Sequence, residues 1–279
     1  MGKEMKKKIL VCGSAGFLMS NFMRYMMYRD NQRQYDFASV DCLAEPADIK
    51  RVYINRRHSF HIGNVRDKEF MERVMYVEKP DFIVNGVGCA KGEVDIARSV
   101  FKSTFSLLES CPENAMVVQV SPRKDMQRIG HEAMDYWDMT SSIVQNKRGA
   151  NMRIPRSFGF RDRHGMLANV IKAALATEKP QFLSNSKEPM AYAEDVASRI
   201  WFIIENAMRG EINMPSLGLV SSEQMYALCN KESGIHDVEY DKDFGCAEKS
   251  DDGWAADSES VEHALIKTIK WFNINKWAL

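Results

Sequence analysis

Two hydrophobic rhythms alternate through the first half of this chain. Apolar runs of strand length fall at Ile9 to Val11, Tyr35 to Val40, Ser59 to Ile62, Asp81 to Asn85, Ala115 to Val120 and Asn151 to Ile154. Between them, apolar positions recur at helical spacing. Phe17 to Tyr28 carries Phe17, Leu18, Phe22, Met23, Met26 and Met27 on that rhythm, and Lys68 to Val77 closes at the stop signal Glu78-Lys79-Pro80. Further helices are expected near Ala97 to Ser110 and Tyr136 to Gln145. Such alternation predicts an α/β fold, a doubly wound parallel sheet with helical crossovers on both faces.

Beyond Phe158 the rhythm changes. A helix from Met166 to Thr177 is followed by an irregular stretch and a strongly apolar helix from Asp195 to Ala207. Ile212 to Met214 then returns a last strand to the sheet. The tail holds a helix from Ser222 to Asn230, an acidic loop from Asp241 to Asp252 and a final helix from Ser258 to Phe272. This order predicts a small C-terminal lobe interleaved with the first domain. The expected division is 1–158 plus about 195–214 for the sheet domain, and 159–194 plus 215–279 for the lobe.

Composition narrows the class. With 279 residues the chain can bury one large core with a lobe attached, and 38 basic residues balance 38 acidic ones. Nothing in that balance draws the chain to nucleic acid or an anionic membrane. The basic start, Lys3 to Lys8, precedes too few apolar residues for a signal-peptide core, and no run approaches the roughly 18 to 20 apolar residues that span a bilayer. Six scattered cysteines (Cys12, Cys42, Cys89, Cys111, Cys229, Cys246) form no Cys-x-x-Cys pair. They predict reduced thiols, a cytoplasmic location and no structural zinc, with Cys12 and Cys89 buried at strand ends. The 18 methionines read as adaptable core filler. His58 and His61 flank a short strand and are expected to be exposed, so no metal site is predicted.

The candidate chemistry begins where the first strand stops. Gly13 and Gly16 follow the run Ile9-Leu10-Val11, and a helix opens at Phe17 and Leu18. Strand, glycine turn and helix N-terminus form a phosphate site, because glycine lets the backbone approach a pyrophosphate and unsatisfied helix N–H groups face the anion. A third glycine is expected at position 19, where this chain has Met19. Asp41 lies about 25 residues past the loop, placed to accept ribose hydroxyls; Cys42 and Leu43 follow without an arginine, which favours NAD over NADP.

The order of these motifs resembles the extended short-chain dehydrogenase/reductase family, and most closely its nucleotide-sugar 4,6-dehydratases. Gly63-Asn64-Val65-Arg66-Asp67 resembles the family's Gly-Asp-(Ile/Val)-Arg-Asp, and Lys79 to Asn85 its Lys-Pro-Asp-x-Val-x-(Asn/His). Tyr192 to Ala197 resembles Tyr-Val-x-Asp-(Val/His)-Ala, and Lys267 to Trp277 the family's Trp-rich terminus. The resemblance implies a Rossmann-type sheet, NAD as cofactor and a nucleotide-sugar ligand. It implies cofactor contacts at Gly13, Gly16, Phe17, Leu18, Asp41, Cys42, Asn64, Val65, Asn85, Val87 and Gly88. Met19 implies either an outward shift of the first helix or a side chain turned into the groove, weakening binding in both cases.

The resemblance breaks at the catalytic positions. The family's Ser-Thr-Asp-Glu reads Ser121-Pro122-Arg123-Lys124 here, so the sugar-binding hydroxyl is lost and two cations replace the acid/base carboxylates. Asp125 is displaced by one position. The nearest match to Tyr-x-x-x-Lys is Tyr136 to Thr140, without the lysine; counting back from Arg153 puts Gln127 and His131 at those positions instead. Tyr136 is then either a base with no adjacent cation, expected near the ordinary tyrosine pKa of about 10, or an aromatic packed on its helix. Ser121 and Arg156 remain as substrate-binding candidates, Arg156 for a diphosphate. The arginine that precedes the family's Tyr-Val-x-Asp motif is missing, replaced by Lys187 to Ala191.

Three readings stay open: a catalytically impaired binding or regulatory protein, a divergent active nucleotide-sugar enzyme, and a structural subunit with an empty groove. A homodimer is also expected, through Val100, Phe101, Phe105, Leu108, Trp137, Ile143 and Val144 on the two helices that family members use to pair.

Overall fold

The computed structural model describes residues 6–30, 34–45, 47–87, 93–126, 129–147, 149–177, 179–235 and 239–276. Gly88, Cys89, Gln127 and Trp277 lie outside them. The chain divides into two compact units, Met1–Arg153 with Ile200–Asn213, and Ile154–Arg199 with Met214–Leu279.

Unit 1 is built on β1 (Lys7–Cys12), α1 (Phe17–Arg29), β2 (Tyr35–Asp41), β3 (His58–Ile62), α2 (Lys68–Glu78), β4 (Phe82–Asn85), α3 (Glu93–Ser110), β5 (Met116–Pro122), α4 (His131–Asn146) and β6 (Ala150–Ile154). The second segment adds β9 (Gly210–Asn213) after β7 (Arg156–Phe158), α5 (Met166–Leu175), β8 (Glu188–Tyr192) and α6 (Ala193–Glu205). Among the described residues the parallel sheet has seven strands in the order β3-β2-β1-β4-β5-β6-β9. The order reverses between β1 and β4, the switch point at which such sheets open a crevice. Ile9, Leu10, Val11 and Cys12 are wholly buried, as a central strand covered on both faces requires.

Local chemistry sets the helix ends. Asp67 caps α2 by accepting the Phe70 N–H (3.0 Å), and Lys79 closes it in the left-handed region (φ +47°) just before Pro80. Met71, Val74 and Met75 then pack with Leu10, Ala38, Val40 and Ile83. Helices α3 and α4 share a smaller cluster of Ala97, Val100, Ala133 and Trp137.

Unit 2 holds a three-stranded sheet in the order β10 (Gly218–Val220), β8 and β7, covered by α5, α7 (Ser222–Glu232) and α8 (Val261–Ile274). Its core gathers Phe158, Leu167, Ile171, Met190, Val220, Leu228, Leu265 and Phe272. The hydrophobic pattern does not announce this sheet, because three-residue strands carry too little periodicity. The units divide at 153 and 199, where the pattern suggests 158 and 195. Strand β7 pairs with β8, and Asp195 at the start of α6 binds the Asp257 and Ser258 amides, so both segments belong to unit 2.

Two side-chain expectations are corrected. His58 and His61 are half-buried: His58 Nε2 lies 2.6 Å from Ser39 Oγ, and His61 Nε2 lies 2.7 Å from Glu78 Oε1. The described cysteines, Cys12, Cys42, Cys111, Cys229 and Cys246, are free thiols. Among the described residues, no three His, Cys, Asp or Glu side chains could hold a metal ion, and no helix is long and apolar enough to cross a membrane.

Candidate functional site

A groove opens in unit 1 at the carboxyl ends of β1, β2, β3 and β4. It is lined by Gly13, Gly16, Asp41, Cys42, Ala44, Ala47, Gly63, Asn64, Val65, Gly86 and Val87. With a cavity volume of about 70 Å³ it is a shallow cleft, not an enclosed chamber.

The glycine loop is shaped by backbone contacts. Gly13 adopts φ +79°, and a Cβ there would fall 2.9 Å from the Gly86 carbonyl oxygen, so only glycine fits. Gly16 caps α1 without a side-chain hydrogen bond. The first bond of α1 runs from the Ser20 N–H to the Gly16 carbonyl (3.1 Å), which leaves the amides of Phe17, Leu18 and Met19 ahead of the ladder. Phe17 and Leu18 are half-buried and do not line the groove with their side chains; what they offer is backbone N–H. Ser14 is buried, and its Oγ has no hydrogen-bond partner.

Asp41 ties two loops together. Its Oδ2 accepts the Ala15 N–H (2.9 Å) and its Oδ1 the Leu43 N–H (2.8 Å), holding Leu43 at φ +55°. Each oxygen keeps a second lone pair for a ligand hydroxyl. Asn64 behaves similarly, its Oδ1 accepting the Arg66 N–H at 3.0 Å. Burial, with Asp41 nearby, pushes the Cys12 thiol up to about 12, so the sulfur beneath the groove stays protonated and unreactive.

Asn85 departs from its expected role. The residue is fully buried, and its Nδ2 donates to Thr104 Oγ1 (3.0 Å) and Gln119 Oε1 (2.8 Å). Its side chain locks the interior instead of facing the groove, because β4 turns it inward at the strand's last position. Gly63, which opens the Gly63-Asn64-Val65-Arg66-Asp67 motif, and Gly86 also line the groove, together with Ala44 and Ala47, which carried no signal in the sequence. For the two glycines the available signal is their place directly after strands β3 and β4.

The Met19 side chain does not turn into the groove. It is 1% exposed and lies under Gly86, where a Cβ would meet Met19 Cγ at 2.4 Å. The methionine is accommodated below the groove by the missing side chain at 86.

The positions expected from the resemblance to carry catalysis hold charge pairs. Arg123 binds Asp125 through two bonds (Nε to Oδ1 3.0 Å, Nη2 to Oδ2 2.5 Å). Lys124 Nζ lies 3.3 Å from Glu211 and 3.5 Å from Asp138. Arg153, fully buried, donates to Asp138, to Glu211 Oε2 (3.0 Å) and to the Pro122 carbonyl (3.3 Å). Burial disfavours the Glu211 carboxylate, but Arg153, Ser141 and Lys124 outweigh it and hold the carboxyl below its ordinary range.

Tyr136 sits against α3. Its ring centroid is 6.2 Å from that of Phe101, and its Oη accepts from Arg98 Nε at 3.2 Å. The expectation of no adjacent cation is therefore wrong: a guanidinium arrives from the neighbouring helix, which spacing within α4 does not reveal. Ser121 is buried and donates to Asn151 Oδ1 at 2.6 Å. In unit 2, Arg156 Nη1 pairs with Glu188 Oε2 at 2.8 Å.

No protein-family model matches the chain, and no curated protein does. Solved structures do. A dTDP-glucose 4,6-dehydratase from Bacillus anthracis in complex with NAD is 18% identical, with a TM-score of 0.78 over 97% of this chain and 98% of its own. A UDP-glucose 4-epimerase from Thermotoga maritima with UDP-glucose is 18% identical, with a TM-score of 0.77 over 96% and 99%. The Bordetella bronchiseptica enzyme WbmH in complex with NAD+ is 11% identical, with a TM-score of 0.79 over 99% and 100%. These likenesses establish the fold, a Rossmann-type α/β fold shared with these three solved structures.

Proposed function

We propose that the groove of unit 1 binds NAD, and that the chain is a binding or regulatory protein without 4,6-dehydratase turnover. One observation carries the cofactor half: the Gly13 cradle, which a single Cβ would fill, lies within the same groove as the Asp41 carboxylate. The amides at the start of α1 suit the pyrophosphate, and Asp41 suits the adenosine ribose. The unpartnered Ser14 Oγ supplies one further polar atom at the loop. Bound NAD would accept or return hydride; this chain's residues hold and orient it. A 2′-phosphate would meet the Asp41 charge with no arginine following it, so NADP binds more weakly.

The loss of turnover rests on chemistry. Arg123 and Lys124 stand where the dehydratases carry acid and base, and both are already engaged with carboxylates. A guanidinium has no proton to trade near neutral pH. Calorimetry tests the reading: NAD gives measurable heat at millimolar concentration or below, and NADP gives less. No heat and no melting shift with NAD would overturn it, and an NADP preference would remove the role given to Asp41.

The alternative, a divergent active enzyme, has one observation in its favour, the Arg98 guanidinium beside the Tyr136 hydroxyl. Self-association belongs to the same proposal. Val100, Leu108, Trp137 and Val144 are buried within the chain, which leaves Phe105 and Met139 as the exposed apolar residues of α3 and α4. Light scattering at tens of micromolar distinguishes a homodimer from a monomer.

A further inference from the structure

A second cavity, of about 400 Å³, lies wholly within unit 2. Its wall runs from Tyr192 and Asp195, at the junction of β8 and α6, through the turn at 214–217 to the segment 247–259. This volume falls in the range of sites that take a small organic ligand.

Two lining residues are each only 1% exposed and each carries a buried polar atom without a hydrogen-bond partner, Tyr192 Oη and Asp195 Oδ2. The Asp195 carboxylate is fixed in place, since its other oxygen accepts the Asp257 N–H (2.9 Å) and the Ser258 N–H (3.1 Å). Trp254 is held as a rigid wall: its Nε1 donates to Ser198 Oγ (3.3 Å), and the Arg199 guanidinium stacks 5.2 Å from its ring. Arg199 is in turn held by Asp252 at 2.8 Å. Buried acceptors left unpaired are costly, and a charged one most of all.

The lining also sets the sign of charge. Asp195, Glu248 and Glu259 face a single lysine, Lys249. Glu248 Oε2 is already used by the Ser216 N–H at 2.8 Å, so Asp195 Oδ2 is the buried acceptor still open. Burial pushes the Asp195 carboxyl up to about 6, and a cation at Oδ2 would relieve that penalty.

We infer that this cavity is a ligand site separate from the NAD groove, taking a small polyhydroxylated amine. The ammonium group pairs with Asp195 Oδ2, a hydroxyl meets Tyr192 Oη, and the carbon skeleton lies against Trp254 and Met214. Trp254 supplies the apolar face that a sugar-like ring requires.

The full chain is titrated calorimetrically with glucosamine and with glucose, which differ here only in the ammonium group. The wild type binds glucosamine, and binds glucose about ten- to a hundredfold more weakly, the difference expected for a hydrogen bond to a charged partner. Asp195→Asn keeps an oxygen for the two amides and loses glucosamine binding by a similar factor. Tyr192→Phe weakens it severalfold, and NAD titrations of the same samples are unchanged. No glucosamine binding up to about 50 mM, equal affinity for glucose, or undiminished affinity in Asp195→Asn would each overturn the site. Should Asp195→Asn fail to fold, undiminished affinity in Tyr192→Phe decides against it.

Discussion

Met19 and Gly86 share one volume: a Cβ built on Gly86 would fall 2.4 Å from Met19 Cγ and 2.7 Å from its Sδ. A large residue in α1 and an absent side chain after β4 are therefore two halves of one packing solution. Rossmann-type loops ordinarily use a third glycine to bring helix and strand together. Here the space is surrendered by the partner segment, and the groove above stays open.

This pairing predicts non-additive stability. Gly86→Ala alone overpacks the site and costs about 1–3 kcal/mol. Met19→Ala alone leaves a cavity and costs about 2–5 kcal/mol. The double variant is more stable than their sum by at least about 1 kcal/mol, read from urea unfolding. Strict additivity would show that the two side-chain positions do not share space.

Glu211 and Arg153 predict acid sensitivity. The Glu211 carboxyl lies below its ordinary range in the folded state, so its contribution is complete above pH about 4.5 and is lost as pH falls through the folded value. Glu211→Ala leaves the fully buried Arg153 guanidinium with Asp138 as its remaining carboxylate and destabilises by about 1–3 kcal/mol. Glu211→Gln flattens the acid limb of a stability–pH curve. An unchanged acid limb in that variant would assign the limb to other carboxylates.

Asp195 has the opposite sign. Its carboxyl is raised from 3.8 to about 6, so the folded state holds the proton more tightly, and stability from this group declines as pH rises between those values. Asp195→Asn removes the decline. Its stability relative to the wild type improves from pH 4 to pH 7 by on the order of 2 kcal/mol, since each tenfold difference in proton affinity between folded and unfolded chains is worth about 1.4 kcal/mol. Denaturant melts at several pH values check this, and a constant difference would exclude a strained carboxylate.

Turnover is expected to be undetectable. Losing one general acid or base costs about 100- to 10,000-fold, and here the carboxylate pair and the tyrosine–lysine pair are both gone. Purified protein with NAD yields no 4-keto sugar from dTDP-glucose, UDP-glucose or GDP-mannose. A rate above trace that Tyr136→Phe abolishes would establish the divergent-enzyme reading.

The sheet was legible because its strands are long, apolar and separated by helices of clear period; β1 to β6 lie within two residues of where the pattern puts them. The groove was legible for a related reason, since Gly13, Gly16 and Asp41 act through backbone shape and strand-end position. What escaped depends on meetings between distant segments. Arg98 reaches Tyr136 from another helix, Gly86 makes room for Met19, and Thr104 and Gln119 turn Asn85 inward. The small sheet of unit 2 escaped because β7 and β10 are too short to show a period.

The Arg156–Glu188 pair has a consequence for any anion approaching that strand. Glu188 is a tethered carboxylate already seated on the guanidinium at 2.8 Å, an internal surrogate for an external anion. An anion approaching there would have to compete with this resident partner for the guanidinium instead of filling a vacancy. Its apparent affinity is the difference between two pairings, and removing the tether turns competition into capture.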